Sequence, residues 1–97
     1  MKVEPISPRQ QQQVREAAHG WLRRARQLCG VELEPVPVLF DLRGRAAGQY
    51  RVRDGQRSIR FNPWIFARYF DANLAVTVPH EVAHYVVDVL HGAARVR

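Results

Sequence analysis

The chain has 97 residues, 46% of them hydrophobic, so we expect one small globular domain or part of one. We find no apolar run long enough to span a membrane, no signal segment, and a single cysteine, Cys29, which excludes an internal disulfide framework and fits the reducing cytoplasm. Lys+Arg number 15 against 9 Asp+Glu. This net charge of +6 favours an anionic partner, nucleic acid above all and DNA among them, with a merely solvated basic surface as the alternative.

The first predicted element is an amphipathic helix that opens with a capping box. Ser7 caps the helix, Pro8 suits its first position, and Gln10 completes the box, while Gly30 is a natural terminator. The apolar residues between them follow helical spacing: Val14, Ala18, Trp21, Leu22, Ala25, Leu28 and Cys29. Arginines occupy the other side. We interpret this as a docking helix with a solvated basic face, the less favoured alternative being a phosphate-facing helix.

Residues 36–61 have the pattern of a small sheet. In the first segment apolar residues recur at every second position: Val36, Val38, Phe40 and Leu42. Tyr50 and Val52 alternate with arginines in a second strand, the dipeptide Asp54-Gly55 favours a type I′ hairpin turn, and residues 58–61 form a third strand. We therefore expect a three-stranded antiparallel meander. Its outer face would carry Arg51, Arg53 and Arg60, as a basic patch or as a charge-protected edge.

Two helices follow the sheet in the predicted order. Asn62-Pro63 is a cap followed by a first-position proline and opens a short apolar helix that ends at about Phe70. Residues 71–73 then read as a break. The last helix begins near residues 77–79 and ends at Gly92. The expected organisation is one domain over residues 1–97 that is incomplete at its C-terminus, with the first helix and a linker (1–35), the sheet (36–61) and the two later helices (62–92).

The last helix contains the motif His80-Glu81-Val82-Ala83-His84, which indicates metal chemistry. Residues four apart lie on the same helix face, so His80 and His84 can bind one ion. Tetrahedral zinc accepts neutral imidazole nitrogens. Glu81 lies about 100° round the helix, where its carboxylate can take a proton from water at the metal. The spacing therefore predicts two zinc ligands and a general base, against the alternative of two surface histidines beside an exposed glutamate.

A third ligand is harder to find, although catalytic zinc usually has three protein ligands. The metzincin pattern needs a glycine and a histidine at positions 87 and 90, and Val87 and Leu90 exclude it. Asp88 lies about 12 Å from His80 along a straight helix, so it cannot share the ion and is expected to support the site or cap the helix. His19 is interpreted as structural. We expect the third ligand beyond residue 97, on another chain, or missing from a degenerate site.

Three segments together resemble the SprT-like metallopeptidase domain. They are residues 42–48 (LRGRAAG), 59–63 (IRFNP) and 78–84 (VPHEVAH), in the order that the family shows. The resemblance implies an α+β, zincin-like fold with an N-terminal helix, a small antiparallel sheet, a short helix and a central motif helix. It implies Zn²⁺ held by His80 and His84, with Glu81 as the base, and a third histidine in a later His-Gly-x-x-Trp stretch that this chain lacks.

The function that we expect is therefore zinc-dependent hydrolysis of a protein or peptide substrate, as the resemblance implies. Some members of the family, the Spartan proteases, degrade proteins crosslinked to DNA, which makes DNA-associated proteins an expected substrate class. The alternative is a non-catalytic module that binds nucleic acid or protein on a degenerate zincin scaffold. The basic charge and the incomplete ligand set are the two features that motivate this alternative.

Overall fold

A computed structural model describes the backbone of residues 4–95 and the side chains of residues 4–92. The chain is an α+β domain, as expected, in which α4 packs on the sheet and α1 packs on α4. The elements, in chain order, are α1 (Pro8–Cys29), β1 (Val38–Leu39), β2 (Gly48–Arg53), β3 (Gln56–Phe61), α2 (Pro63–Arg68), α3 (Phe70–Ala75) and α4 (Thr77–Arg95). Within residues 4–95, no helix combines the length and apolar character needed to cross a membrane.

Helix α1 confirms the predicted capping box. The Ser7 hydroxyl accepts a hydrogen bond from the Gln10 amide at 3.1 Å, and the Gln10 side chain accepts one from the Ser7 amide at 3.0 Å. The helix ends at Gly30, which adopts φ 65° and donates its amide hydrogen to the Arg26 carbonyl. Because both ends are defined by local residues, the helix stops where the sequence indicates.

The β2–β3 hairpin is antiparallel, with a register that runs from Gly48 opposite Phe61 to Arg53 opposite Gln56. Its turn is the predicted type I′, because Asp54 and Gly55 both have positive φ, 52° and 77°. The sheet is nevertheless mixed, and the expected meander is wrong. Strand β1 pairs with β3 in parallel, so the strand order is β1-β3-β2.

The connection between β1 and β2 explains the parallel pairing. Residues 40–47 carry the chain past the end of β3, where the Leu42 amide donates to the Phe61 carbonyl and the Asn62 amide donates to the Ala47 carbonyl. The chain therefore enters β2 on the far side of β3. With strands on both sides, β3 is the central strand, and its Ile59 and Phe61 are fully buried.

The single short helix expected before the motif is divided into two. Asn62 caps α2 as predicted, since its side-chain oxygen accepts from the Trp64 and Ile65 amides. The helix ends at Arg68 because Tyr69 leaves the helical region, with φ −140° and ψ 57°. Residues 71–73, predicted to be a break, belong to α3.

Helix α4 begins at Thr77, within the predicted range, and Pro79 falls in its first turn. The first amides of a helix have no partner inside that helix, so the proline removes no hydrogen bond there. The predicted stop at Gly92 is wrong, because the helix continues to Arg95. Gly92 does not adopt positive φ, and glycine inside a helix costs only about 1 kcal/mol relative to alanine.

One hydrophobic core lies between α1, α4 and the inner face of the sheet. Its aromatic centre is Phe61, whose ring centroid lies 5.1 Å from that of Phe66 and 6.2 Å from that of Phe40. Its buried residues are Ile6, Val14, Ala18, Leu22, Leu33, Val36, Ile59, Phe61, Phe66, Val78, Val82 and Tyr85. Val78, Val82 and Tyr85 fix one side of α4 in this core, which determines where the motif side chains of the same helix point.

Candidate metal and hydrolytic site

The two histidines of the motif converge on the exposed side of α4. The Nε2 atoms of His80 and His84 lie 3.1 Å apart. Their rings meet edge to face, with centroids 4.6 Å apart and planes at 88°. Both residues are exposed. The helical spacing of four residues therefore brings two imidazole nitrogens to one point at the protein surface.

This geometry fits two ligands of a zinc ion. Two zinc–nitrogen bonds of about 2.0–2.1 Å at the tetrahedral angle separate the nitrogens by about 3.3 Å. The observed 3.1 Å separation needs only a small adjustment. The same distance also fits a hydrogen bond between two neutral imidazoles, one as donor and one as acceptor. No third histidine, cysteine, aspartate or glutamate among the described residues joins the pair to form a metal site.

Glu81 differs from the histidines in being buried, with only 6% of its surface exposed. A buried carboxylate normally has hydrogen-bond donors around it. The Glu81 carboxylate has no hydrogen bond within the described part of the chain. The carboxylate belongs to the residue after His80 and has no internal partner, and its oxygens are not fully buried, so it can accept a proton from a bound molecule.

Gly48, the first residue of β2, forms the wall against which Glu81 packs. A Cβ atom added at Gly48 would lie 2.9 Å from Glu81 Cγ, 3.1 Å from Glu81 Oε2 and 2.9 Å from Thr77 Cγ2. Real Cβ atoms essentially never come within 3.0 Å of other heavy atoms, as two of these three contacts would require. The sequence interpretation did not assign a role to Gly48. A glycine at the start of a strand was the available signal, since it often marks close approach of another group.

A second contact between the hairpin and α4 is centred on Asp88. The Tyr50 hydroxyl donates to Asp88 Oδ2 at 2.7 Å, and Arg57 Nε donates to the same oxygen at 3.0 Å. Burial raises the pKa of Tyr50, and the hydrogen bond to Asp88 raises that pKa further. Asp88 lies one helical turn after His84, and these contacts fix α4 to the hairpin. The predicted support of the metal site by Asp88 stays a prediction.

The Tyr50 ring also packs against Tyr85, with centroids 5.9 Å apart. The Tyr85 hydroxyl donates to the Glu34 carbonyl at 2.7 Å, which ties α4 to the segment before β1. Burial raises the pKa of Tyr85 as well. These contacts join the hairpin and the segment before β1 to α4. They therefore fix the position of the helix that carries the motif side chains.

Taken together, these features define an α+β domain whose last helix presents two histidines and a glutamate, at metal-site spacing, beside a β-hairpin. The chain belongs to the SprT-like family, which it matches over residues 12–97. This confirms the family resemblance that the three sequence segments indicated.

Individual relatives are bacterial proteins called Protein SprT. The chain is 39% identical to that of Vibrio parahaemolyticus over 62 residues, which are 63% of this chain and 36% of the relative. It is 39% identical over 57 residues to that of Pseudomonas savastanoi pv. phaseolicola, covering 59% of this chain and 34% of the relative. It is 38% identical over 56 residues to that of Shewanella oneidensis, covering 58% of this chain and 35% of the relative. The aligned segment thus spans about a third of each relative. No solved structure matches the chain.

Proposed function

We propose that this domain is the metal-binding part of a zinc-dependent peptidase with a zincin-like fold. His80 and His84 hold the zinc ion, and Glu81 is the general base. The observation that carries the proposal is the 3.1 Å approach of the two Nε2 atoms, on a helix whose Glu81 is mostly buried and has no hydrogen bond within the described residues. A complete catalytic set also requires a third ligand from outside the described residues.

The residues of this chain have separate tasks in the reaction. Bound zinc supplies a Lewis acid that polarises the scissile carbonyl and activates water. Glu81 takes a proton from the attacking water on its carboxylate and passes that proton to the nitrogen of the leaving amine. Gly48 packs closely on Glu81 and Thr77, which restricts the movement of the Glu81 side chain.

The outer edge of β2 is the proposed docking line for the peptide substrate. The order β1-β3-β2 leaves this edge unpaired among the described strands, and β2 begins at Gly48, next to Glu81. The register places the backbone amides of Gly48, Tyr50 and Val52 on that edge. An extended peptide can add to such an edge through main-chain hydrogen bonds.

Val52→Pro tests the docking line, because it removes one outward amide and leaves the β2–β3 hydrogen bonds in place. We expect KM for an unstructured protein substrate to rise about 2- to 12-fold, the equivalent of one hydrogen bond. Val52→Thr, which keeps the amide, is the matched control. Unchanged KM in the proline variant would remove β2 as the docking edge.

The chemistry itself is tested with Glu81→Gln and His84→Ala in the full chain. Glu81→Gln should retain the zinc content of the wild type while hydrolysis of an unstructured protein falls about 10²- to 10⁴-fold, the usual contribution of a general base. His84→Ala should lose both. The assay is run with and without DNA, since we propose proteins associated with DNA in the cytoplasm as substrates. Equal hydrolysis by wild type and Glu81→Gln would refute the assignment.

A second candidate function is a nucleic-acid-binding module that has lost hydrolysis. The observation that favours it is the row of arginines on the outer face of the sheet, where Arg51, Arg53 and Arg60 lie as predicted. If the domain is such a module, we expect it to bind DNA without zinc, with an affinity that falls steeply as the salt concentration rises. We also expect no hydrolysis under any of the conditions above. Hydrolysis that disappears in Glu81→Gln would exclude this candidate as the whole function.

A further inference from the structure

The outer face of the sheet is chemically different from the face that packs on α4. The β2–β3 register places Tyr50 opposite Ile59 on the inner face. Arg51 lies opposite Ser58, and Arg53 opposite Gln56, on the outer face. Because side chains alternate between faces, the inner face is part of the core, whereas the β2 and β3 residues of the outer face are all polar or charged.

A concave surface that encloses a volume of about 460 Å³ lies at the hairpin end of this outer face. Three arginines line it, Arg51, Arg53 and Arg57, against a single acidic residue, Asp54. Ser58 contributes to the lining and is 9% exposed. Pro37 and Leu39 form an apolar part of the lining. The surface is nevertheless positively charged, which suits an anion and repels a cation.

The arginines of this region differ in whether the protein itself neutralises them. Arg60 forms an ion pair with Asp41 at 2.8 Å, and Arg57 pairs with Asp88. Arg51, in contrast, has a buried Nε with no hydrogen-bond partner. Arg53 has no ion pair or hydrogen bond within the described residues. The buried Nε cannot reach an outside ligand, but the terminal nitrogens of Arg51, which have no hydrogen bond or ion pair within the described residues, can bind one.

We propose that this concave surface binds the phosphodiester backbone of a nucleic acid, with Arg51 and Arg53 contacting successive phosphates of one strand. Residues two apart on a β-strand are separated by about 7 Å, which is similar to the spacing of neighbouring phosphates along a nucleic-acid strand. Guanidinium groups bind phosphate oxygens through paired hydrogen bonds. No aromatic residue of β2 or β3 lies on this face to stack with bases, so the contact is independent of sequence.

This inference deepens the second candidate function, on whose arginines it rests, and its site is distinct from the proposed peptidase site. Gly48, which packs on Glu81, has the same register parity as Tyr50 and therefore belongs to the inner face, whereas Arg51 and Arg53 belong to the outer one. The sheet separates the two sites. Loss of the arginines should leave zinc content and hydrolysis of a DNA-free substrate unchanged, so either proposal can fail without the other.

The test compares two double variants of the full chain that lose the same charge. Arg51→Gln/Arg53→Gln removes the proposed contacts, and Arg23→Gln/Arg24→Gln removes two exposed arginines from α1. Affinity for a fluorescein-labelled single-stranded oligonucleotide is measured by anisotropy over a range of salt concentrations. We expect the first variant to bind about tenfold more weakly and its log–log salt slope to fall by about 1.4, the value for two lost phosphate contacts. The control should keep the wild-type slope.

Several outcomes would overturn the proposal. Equal weakening of both double variants would show a general charge effect and no site. Binding of anionic phosphatidylserine vesicles, or of inorganic phosphate, without binding of the oligonucleotide would reject nucleic acid as the ligand. If circular dichroism shows that the double variant does not fold, the exposed Arg53→Gln alone is compared with Arg23→Gln. A slope reduced by about 0.7 then supports the proposal, and an unchanged slope refutes it.

Discussion

Replacing Gly48 by alanine tests the close approach of β2 to the motif helix. The backbone φ of Gly48 is not positive, so an alanine there meets no conformational penalty. The penalty comes from its methyl group, which would lie 2.9 Å from Glu81 Cγ and from Thr77 Cγ2. Either β2 and α4 must separate, or the Glu81 carboxylate must turn away from its present position.

The size of the effect follows from these distances. Carbon atoms in ordinary contact are about 3.5–4.0 Å apart, so each neighbour must retreat by about 0.6 Å or more. Two of the three contacts involve Glu81, which is buried and has little room to move. Insertion of a methyl group into such a packed contact typically lowers the free energy of unfolding by about 1–3 kcal/mol. We expect a loss in this range for Gly48→Ala.

The measurement is urea denaturation followed by circular dichroism, with the free energy of unfolding obtained by linear extrapolation. Gly20→Ala is the matched control, because nothing lies within 4 Å of its added Cβ and it sits inside α1. Its helix propensity should stabilise the domain by about 0.4–1 kcal/mol.

A compensating variant identifies the neighbour that is responsible. Thr77→Ser removes Cγ2, so the double variant Gly48→Ala/Thr77→Ser should recover part of the lost stability. If the free energy of unfolding of Gly48→Ala equals or exceeds that of the wild type, the reasoning is refuted. Such a result would show that the space between β2 and α4 accommodates a methyl group. Hydrolysis should fall more in Gly48→Ala than the folded fraction does, because the methyl group acts directly on Glu81.

Two further predictions concern the support of the site. Asn62→Ala removes the cap of α2 and the donor to the Gly44 carbonyl, so it should cost about 2–3 kcal/mol in urea denaturation, whereas Asn62→Asp keeps the cap and should cost less. Equal losses would show that the cap is unimportant. The raised pKa of Tyr50 means that the folded chain keeps this proton when the unfolded chain loses it. Its contribution to stability should therefore be complete below about pH 10 and decline at higher pH. Tyr50→Phe should reduce that alkaline decline, and an unchanged pH profile would contradict the assignment.

Features set by neighbouring residues were predictable from the sequence. The capping box at Ser7, the stop at Gly30 and the type I′ turn at Asp54-Gly55 each depend on residues within a few positions of one another. The same holds for His80 and His84, because four-residue spacing fixes their relative placement on any helix. Contacts between residues close in sequence therefore account for these helix ends, for the hairpin turn and for the placement of the two motif histidines.

Features that depend on distant partners were not predictable. Apolar alternation indicates that residues 36–42 are extended, but it does not specify which strand they pair with or in which direction, and β1 pairs in parallel with β3. Gly92 resembles a terminator, yet no positive φ ends the helix there. The contact between Gly48 and Glu81 joins residues more than thirty positions apart, which no local pattern reports.

The two-residue turn at Asp54-Gly55 fixes the hairpin register, and the register keeps the arginines of the outer face away from α4. A slip of one residue in the hairpin would exchange the faces of Tyr50 and Arg51. A guanidinium would then enter the space beside α4, near Asp88 and Tyr85, and an aromatic ring would replace a cation on the outer surface. The length of this turn thus selects which side of the sheet is neutral and which is basic. A loop insertion there should damage both proposed sites at once, although it lies away from the motif side chains.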